Sequence, residues 1–243
     1  MLKLQRNGLP ALMLIVSAIF AGCGGGGSSN SSAAAAPAGP VTSTLAFPLQ
    51  TAYSAIVANG LSKTFTVTGT CNGSGSRTSA AANTGAAFEG KTGMLSAVTT
   101  QTITYTNCTP TSNATTTTSY FDTNYVPLGF NSVGSNYAVW PTPPNYPASI
   151  KVGDTTVVGT ENLYTDSTKA TSNGKVDQSF VVEADTATTA IVNLISKIYN
   201  AAGTLTSTEQ SRYRIAAVGA LAPISTDVQF ANGSTNHLVL TYN

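Results

Sequence analysis

An all-β fold, mainly antiparallel, is what this sequence predicts: a β-meander curled into a sandwich or partial barrel, with one short N-terminal helix. Three observations carry that reading. From Val41 onward the hydrophobic period is mostly two, the period of a strand with one buried face. Threonine, a β-branched residue that fits a pleated surface, fills 38 of the 243 positions. Asn, Asp and Gly recur between the alternating runs, where hairpin turns need left-handed backbone.

The elements follow in order. In Phe47–Asn59, Leu49, Tyr53, Ile56 and Val57 recur at helical spacing and Asn59-Gly60 supplies a stop. This predicts the helix, packed on the sheet over an edge or one end. Lys63–Cys71 alternates Phe65 and Val67 with Thr64, Thr66, Thr68 and Thr70, and Thr100–Cys108 repeats the pattern with Ile103 and Tyr105. Each reads as a half-buried antiparallel strand. Asn72-Gly73 and the Ser/Gly residues after it read as a turn. Further hairpins are predicted around Asp122-Thr-Asn, Thr165-Asp-Ser, Asn200-Ala-Ala-Gly and Ala231-Asn-Gly-Ser-Thr. Thr189–Tyr199 fits either a helix stripe through Ile191, Leu194, Ile195 and Ile198 or a strand buried on both faces. Pro141, Pro143, Pro144 and Pro147 mark a long, stiffened loop. No composition break follows Pro40, so residues 41–243 read as a single antiparallel β domain.

Composition bounds the function. Charged residues are 9% of the chain, against about 25% in ordinary globular proteins. The net charge of +1 excludes a nucleic-acid partner, which needs a basic stripe to neutralise phosphates. One histidine leaves little scope for a metal site, and no acidic cluster has calcium-loop spacing. No cofactor is expected.

The N-terminus reads as a targeting segment. Lys3 and Arg6 precede the apolar run ALMLIVSAIFA at 11–21, which at 1.5 Å per residue covers about 16 Å of a roughly 30 Å hydrocarbon core. It is too short to span and has the form of a secretory signal over residues 1–22. The run ends in Phe20-Ala21-Gly22-Cys23, which resembles the lipobox of bacterial lipoproteins, with Phe20 where Leu is usual. The resemblance implies cleavage before Cys23, lipidation of that cysteine and membrane attachment. Gly24 at the following position, where an Asp would favour the inner membrane, implies the outer membrane. Residues 24–40, GGGGSSNSSAAAAPAGP, lack the side chains for a core and form a flexible tether of roughly 23 Å r.m.s.. Residues 23–40 are thus expected to hold a folded domain off the membrane. Cys71 and Cys108 remain, and an oxidising compartment predicts a disulfide between them, pinning two strand ends.

Few residues suggest chemistry. His237 lacks a partnering serine in any nucleophile elbow and reads as a surface or packing residue. Glu183 and Asp185 share a strand face at a separation loosely compatible with a glycosidase pair; pairing with Arg212 and Arg214 across the sheet is the simpler account. Tyr137, Trp140 and Tyr146, among prolines, form the one candidate contact surface. Against that stands a loop folded over the core, with Trp140 plugging the end of the sheet. At the level of fold alone, a curled sheet with a helix resembles the half-barrel carriers of lipoprotein transport.

Three functions stay open. The first is a lipid-anchored, non-enzymatic envelope module that is structural or binds an unknown envelope protein or glycan. The second is a carrier of an apolar ligand in the curved sheet, which an apolar cavity of several hundred Å³ would favour. The third is an unrecognised envelope hydrolase, which convergent pKa-shifted carboxylates would favour.

Overall fold

Strand alternation builds nearly the whole structure. The computed structural model describes residues 41–231 and 236–243; the expected signal segment, Cys23, the tether and the turn at 232–235 lie outside them. The elements are α1 (Leu49–Asn59), β1 (Leu61–Gly69), β2 (Gly73–Ser79), β3 (Asn83–Phe88), β4 (Lys91–Tyr105), β5 (Ser112–Phe121), β6 (Pro127–Ser132), β7 (Tyr137–Val139), β8 (Thr155–Tyr164), β9 (Ser172–Ala184), β10 (Thr189–Tyr199), β11 (Leu205–Ala216), β12 (Leu221–Phe230) and β13 (His237–Tyr242). The open alternative at Thr189–Tyr199 resolves to a strand. No helix among the described residues is long and apolar enough to cross a membrane.

Each strand pairs antiparallel with its neighbours, and the meander closes on itself. The last strand joins the first through Phe65↔Tyr242, Val67↔Leu240 and Gly69↔Leu238. The ring of twelve strands runs β2-β1-β13-β12-β11-β10-β9-β8-β7-β6-β5-β4 and returns to β2. The fold is therefore a closed barrel, the fully curled form of the expected sheet, rather than a sandwich. β3 stands outside the ring, paired with the first half of β4 as a ribbon.

One expectation is corrected. The Gly/Ser run after Asn72 is not a turn but β2, a full ring member between β1 and β4. It has no large apolar residue because it needs none. At Gly75 an added Cβ would stand 2.5 Å from the Phe65 ring and 2.3 Å from the Thr102 carbonyl. The ring of Phe65 from the adjacent strand fills the space that a β2 side chain would occupy.

Inward positions build the core. Phe65, Val67, Ile103, Tyr105, Val228, Leu238 and Leu240 close one end of the barrel beside Cys71. At the other end Phe47, Leu49 and Ala52 pack among Ile150, Phe180, Val182, Val192 and Ile215, so α1 seats in the mouth. Its inward residues fall at i, i+3, i+4, i+7 and i+8 from Leu49, one face of a helix, and Gly60 ends it by donating its N–H to the Ile56 carbonyl. The outward face is hydroxyl-rich: Ser62, Thr78, Thr100 and Thr116 lie in one row across β1, β2, β4 and β5, and Thr66, Ser74, Thr104 and Ser112 in another.

Cys71 and Cys108 are joined, with Cα atoms 5.7 Å apart. The bond ties the ends of β1 and β4 across the intervening β2. Closing a loop with a sequence separation of 37 contributes about 4 kcal/mol in the chain-entropy model. The Cys71→Ser/Cys108→Ser double variant should melt roughly 8–16 °C lower than the oxidised protein by calorimetry, at about 2–4 °C per kcal/mol for a domain of this size. An unchanged melting temperature would show that the closure holds without it.

Candidate functional site

Between the two apolar ends the lumen is lined by polar and apolar side chains together. Its inward positions carry Lys63 on β1, Arg77 on β2, Thr99 and Gln101 on β4, Thr115 and Thr117 on β5, Glu161 on β8, Gln178 on β9, Ser196 on β10, Glu209 and Tyr213 on β11 and Tyr242 on β13. They surround a cavity of ≈ 180 Å³ that Tyr53, Ile56 and Val57 of α1 cover and Trp140 also lines. Register explains the gathering. Ser196 sits opposite both Gln178 and Glu209, and Gln101 sits opposite Arg77. A polar belt thus forms from residues far apart in sequence.

Two carboxyl groups dominate this belt. Glu161 is 5% exposed and Glu209 2%, and among the described residues neither forms an ion pair or a direct hydrogen bond. Burial pushes the Glu161 carboxyl from its ordinary 4.5 up to about 8. Burial also raises Glu209 well above the carboxylate range, against the opposing charge of Arg77. At pH 7 the Glu161 carboxyl is therefore mainly neutral, able both to donate and to accept a hydrogen bond. Tyrosines crowd the same space. Tyr53 and Tyr146 stack with ring centroids 5.3 Å apart, and burial raises the hydroxyl pKa of Tyr53, Tyr146 and Tyr213. The Ser196 hydroxyl is buried with no hydrogen-bond partner among the described residues.

The residues singled out from sequence fall elsewhere or in other roles. Trp140 is 7% exposed, and its ring would lie 3.2 Å from a Cβ at Gly159, so the absence of a side chain there makes its seat. Tyr137 is 6% exposed. The tip of the β3–β4 ribbon covers it: Phe88 lies 5.5 Å from its ring and stacks on Tyr120 at 4.4 Å. Its hydroxyl donates to Glu89 Oε1 at 2.7 Å, and Glu89 also pairs with Lys169. Tyr146 is half-buried against Tyr53. The contact-surface reading of these three is thereby corrected: the loop folds over the core, and the aromatic area it would offer a partner is used internally.

Glu183 and Asp185 are engaged on the outer face. Arg212 reaches Glu183 at 2.9 Å and Arg214 reaches Asp185 at 2.6 Å, each spanning β10 from β11 to β9. The Arg214 hydrogen bond holds Asp185 below the ordinary carboxylate range. His237 pairs with Asp227 at 2.7 Å on the barrel wall. No cluster of three or more metal-ligating side chains occurs among the described residues.

The functional candidates that sequence reading missed are Glu161 and Glu209. A signal was present. Glu161 shares the buried side of β8 with Val158 and Leu163, and Glu209 that of β11 with Ser207, Ser211 and Ile215. A carboxylate on the core side of a strand marks an interior site.

In comparisons with known proteins, the chain matches no family model, no curated protein and no solved structure.

Two predictions come from this geometry. Trp140→Ala should cost about 3–5 kcal/mol in denaturant unfolding, the range for emptying an aromatic core site; a change under about 1 kcal/mol would return Trp140 to the surface. The second concerns pH. Between about 4.5 and about 8 the folded chain keeps the Glu161 proton that the unfolded chain has lost, so stability falls as pH rises through that window. Glu161→Gln should flatten that slope and raise stability at pH 8. An unaltered slope would place the Glu161 carboxyl in water.

Proposed function

We propose that this chain is a lipid-anchored outer-membrane envelope protein whose β-barrel binds a small polar ligand in its lumen without catalysing a reaction on it. The observation that carries the reading is the cavity lined by two buried carboxyls, Glu161 and Glu209, for which no ion pair or direct hydrogen bond occurs among the described residues. Buried polar groups are satisfied in folded proteins, and a ligand supplies what the described residues do not. At ≈ 180 Å³ the cavity is below the roughly 300–1,000 Å³ of drug-sized sites. Its size argues against an acyl chain or other bulky apolar cargo.

Attachment through lipid at Cys23 fits the outward surface. Hydroxyls on β1, β2, β4 and β5 and ion pairs on β9 to β11 are costly to place against hydrocarbon. Binding rather than catalysis fits the protonation pattern. Acid–base hydrolysis separates two carboxyls into one acid and one ionised base, and here burial pushes both in the same direction. The second reading, an envelope hydrolase, rests on the same two pKa-shifted groups in one cavity and requires turnover that Glu161→Gln abolishes.

The lone tryptophan lines the cavity, so its emission reports occupancy. A panel of small polar molecules should shift Trp140 fluorescence in the full chain, and Thr115→Phe, which fills the cavity from its half-exposed side, should remove the shift. Mass spectrometry of the mature N-terminus should show an acylated Cys23. A free amine at another residue would remove the anchor, and a panel without effect on Trp140 would remove the lumen site.

A further inference from the structure

Charge in the lumen is unevenly compensated. Register sets Lys63, Arg77, Gln101 and Thr115 in one row across β1, β2, β4 and β5. Arg77 is engaged there: it hydrogen-bonds the Tyr242 hydroxyl, and its charge acts on Glu209. Lys63, directly opposite Arg77, forms no ion pair among the described residues. Glu161 and Glu209 are the acids that line the cavity. With Glu209 taken as the counter-charge of Arg77, Glu161 is what remains for Lys63. From β1 to β8 the ring counts six steps in either direction, so Glu161 lies across the barrel. Buried there with no cation against it, its carboxyl is mainly protonated at pH 7. Lys63 is therefore a cation with no counter-charge in the lumen, and this holds whether or not Arg77 and Glu209 compensate each other.

A second observation points the same way. The Ser196 hydroxyl is 2% exposed, lines the same cavity and has no hydrogen-bond partner among the described residues. A hydroxyl and a protonated carboxyl each offer an O–H to an acceptor, so Ser196 and Glu161 add donors to the cation. A fixed charge in a low-dielectric cleft draws its opposite from solvent. A cation entering here would meet Lys63 and no ionised partner in Glu161. Much of the remaining lining is apolar, with Ile56 and Val57 of α1, Phe121, Phe130, Trp140 and Ile198. An inorganic ion would leave those faces unused. A protein cavity of about 150 Å³ holds benzene, so one of ≈ 180 Å³ has room for a body of that size carrying one charged head.

We propose that the lumen binds a small organic monoanion, a compact carboxylate whose charge is drawn to Lys63 and whose apolar body lies beneath α1 against Trp140. This rests on the lumen being a ligand site, as argued above. The titratable groups that face the cavity are Lys63, Arg77, Glu161, Glu209, Tyr53, Tyr213 and Tyr242, with Tyr146 stacked on Tyr53. Burial raises the pKa of all four tyrosines, which keeps them uncharged, so the carboxyls set the pH response. Above about pH 8 Glu161 ionises and places a like charge in the lumen with the bound anion. Glu209, raised by burial as well, acts in the same direction. Affinity for an anion therefore falls as pH rises.

The test is calorimetric titration of the full chain with benzoate, benzyl alcohol, benzylammonium and phosphate. The first three share one apolar body and differ in the charge of the head. Benzoate should bind at least tenfold more tightly than each of the other three at pH 7 and weaken several-fold by pH 9. Its charge is constant over that range, so the pH dependence belongs to the protein. Lys63→Met should remove the preference for benzoate over benzyl alcohol, and Lys63→Arg should retain it. Should Lys63→Met fail to fold, Lys63→Gln takes its place with the same expectation. Glu161→Gln should reduce the loss of benzoate affinity between pH 7 and 9. Benzyl alcohol or benzylammonium bound as tightly as benzoate overturns the anion while the lumen site stands, and so does a benzoate preference that survives Lys63→Met. Phosphate bound as tightly as benzoate overturns the organic body. Silence from all four overturns the proposal, and the wider panel read by Trp140 fluorescence then decides the lumen site separately.

Discussion

The pairing of β1 with β13 is the constraint from which the rest of the architecture follows. Five residues of β1, Phe65 to Gly69, lie opposite Tyr242 to Leu238, and with that seam the twelve-strand ring has no free edge, β3 alone standing outside it. Closure removes the unpaired backbone groups that would otherwise recruit other strands. It also creates an obligation, because twelve strands enclose more space than their own side chains fill. At one end Phe65, Val67, Leu238 and Leu240 meet across the seam. At the other the space is filled from outside the ring, by Phe47, Leu49 and Ala52. The disulfide spans β1–β2–β4, the part of the ring next to the seam, where the Gly/Ser-rich β2 contributes least packing.

What is left in the middle is a belt the fold does not need for stability. Replacing Glu161 or Glu209 by an apolar residue of similar size would remove the cost of burying a carboxyl. The barrel instead keeps both, at depths where burial raises the pKa of each. On the outer wall the same residue type behaves in the opposite way. Glu183 and Asp185 are each met by an arginine and stay where solvent screens them. The contrast separates structural acids from candidate functional ones within a single sheet, and it does so by environment alone.

How far the sequence showed this depends on whether the information was local. The helix over Leu49–Asn59 was legible in its spacing, the β1 and β4 strands in their alternation, and the Cys71–Cys108 bond in the cysteine count together with the expected export signal. The pairing of Arg212 and Arg214 with Glu183 and Asp185 was legible too, since the residues share strand faces two apart. β2 was not, because its inner face is Gly73, Gly75, Arg77 and Ser79, and the apolar half of the alternation is supplied by Phe65 from the next strand. The lumen was hidden for a related reason. Lys63, Arg77, Glu161 and Glu209 meet only through register around a ring whose closure no local pattern states. Trp140 and Tyr137 misled for the converse reason, as aromatics between prolines look exposed until the β3–β4 ribbon and Gly159 are in place to receive them.

If Cys23 carries the anchor, the segment that ties the barrel to the membrane is also the one that closes its lumen. The chain enters the described structure at Val41, bridged to Asp185, passes Phe47, bridged to Ile150, and within two residues becomes the helix over the cavity. Seating in the barrel mouth accounts for the composition of Phe47–Asn59, which holds no charged side chain. A charge on the buried face of α1 would enter the same low-dielectric space as Glu161 and bear the same cost of burial. Tyr53 offers a polarity that burial leaves uncharged, so the helix closes the mouth and leaves the charges to the walls.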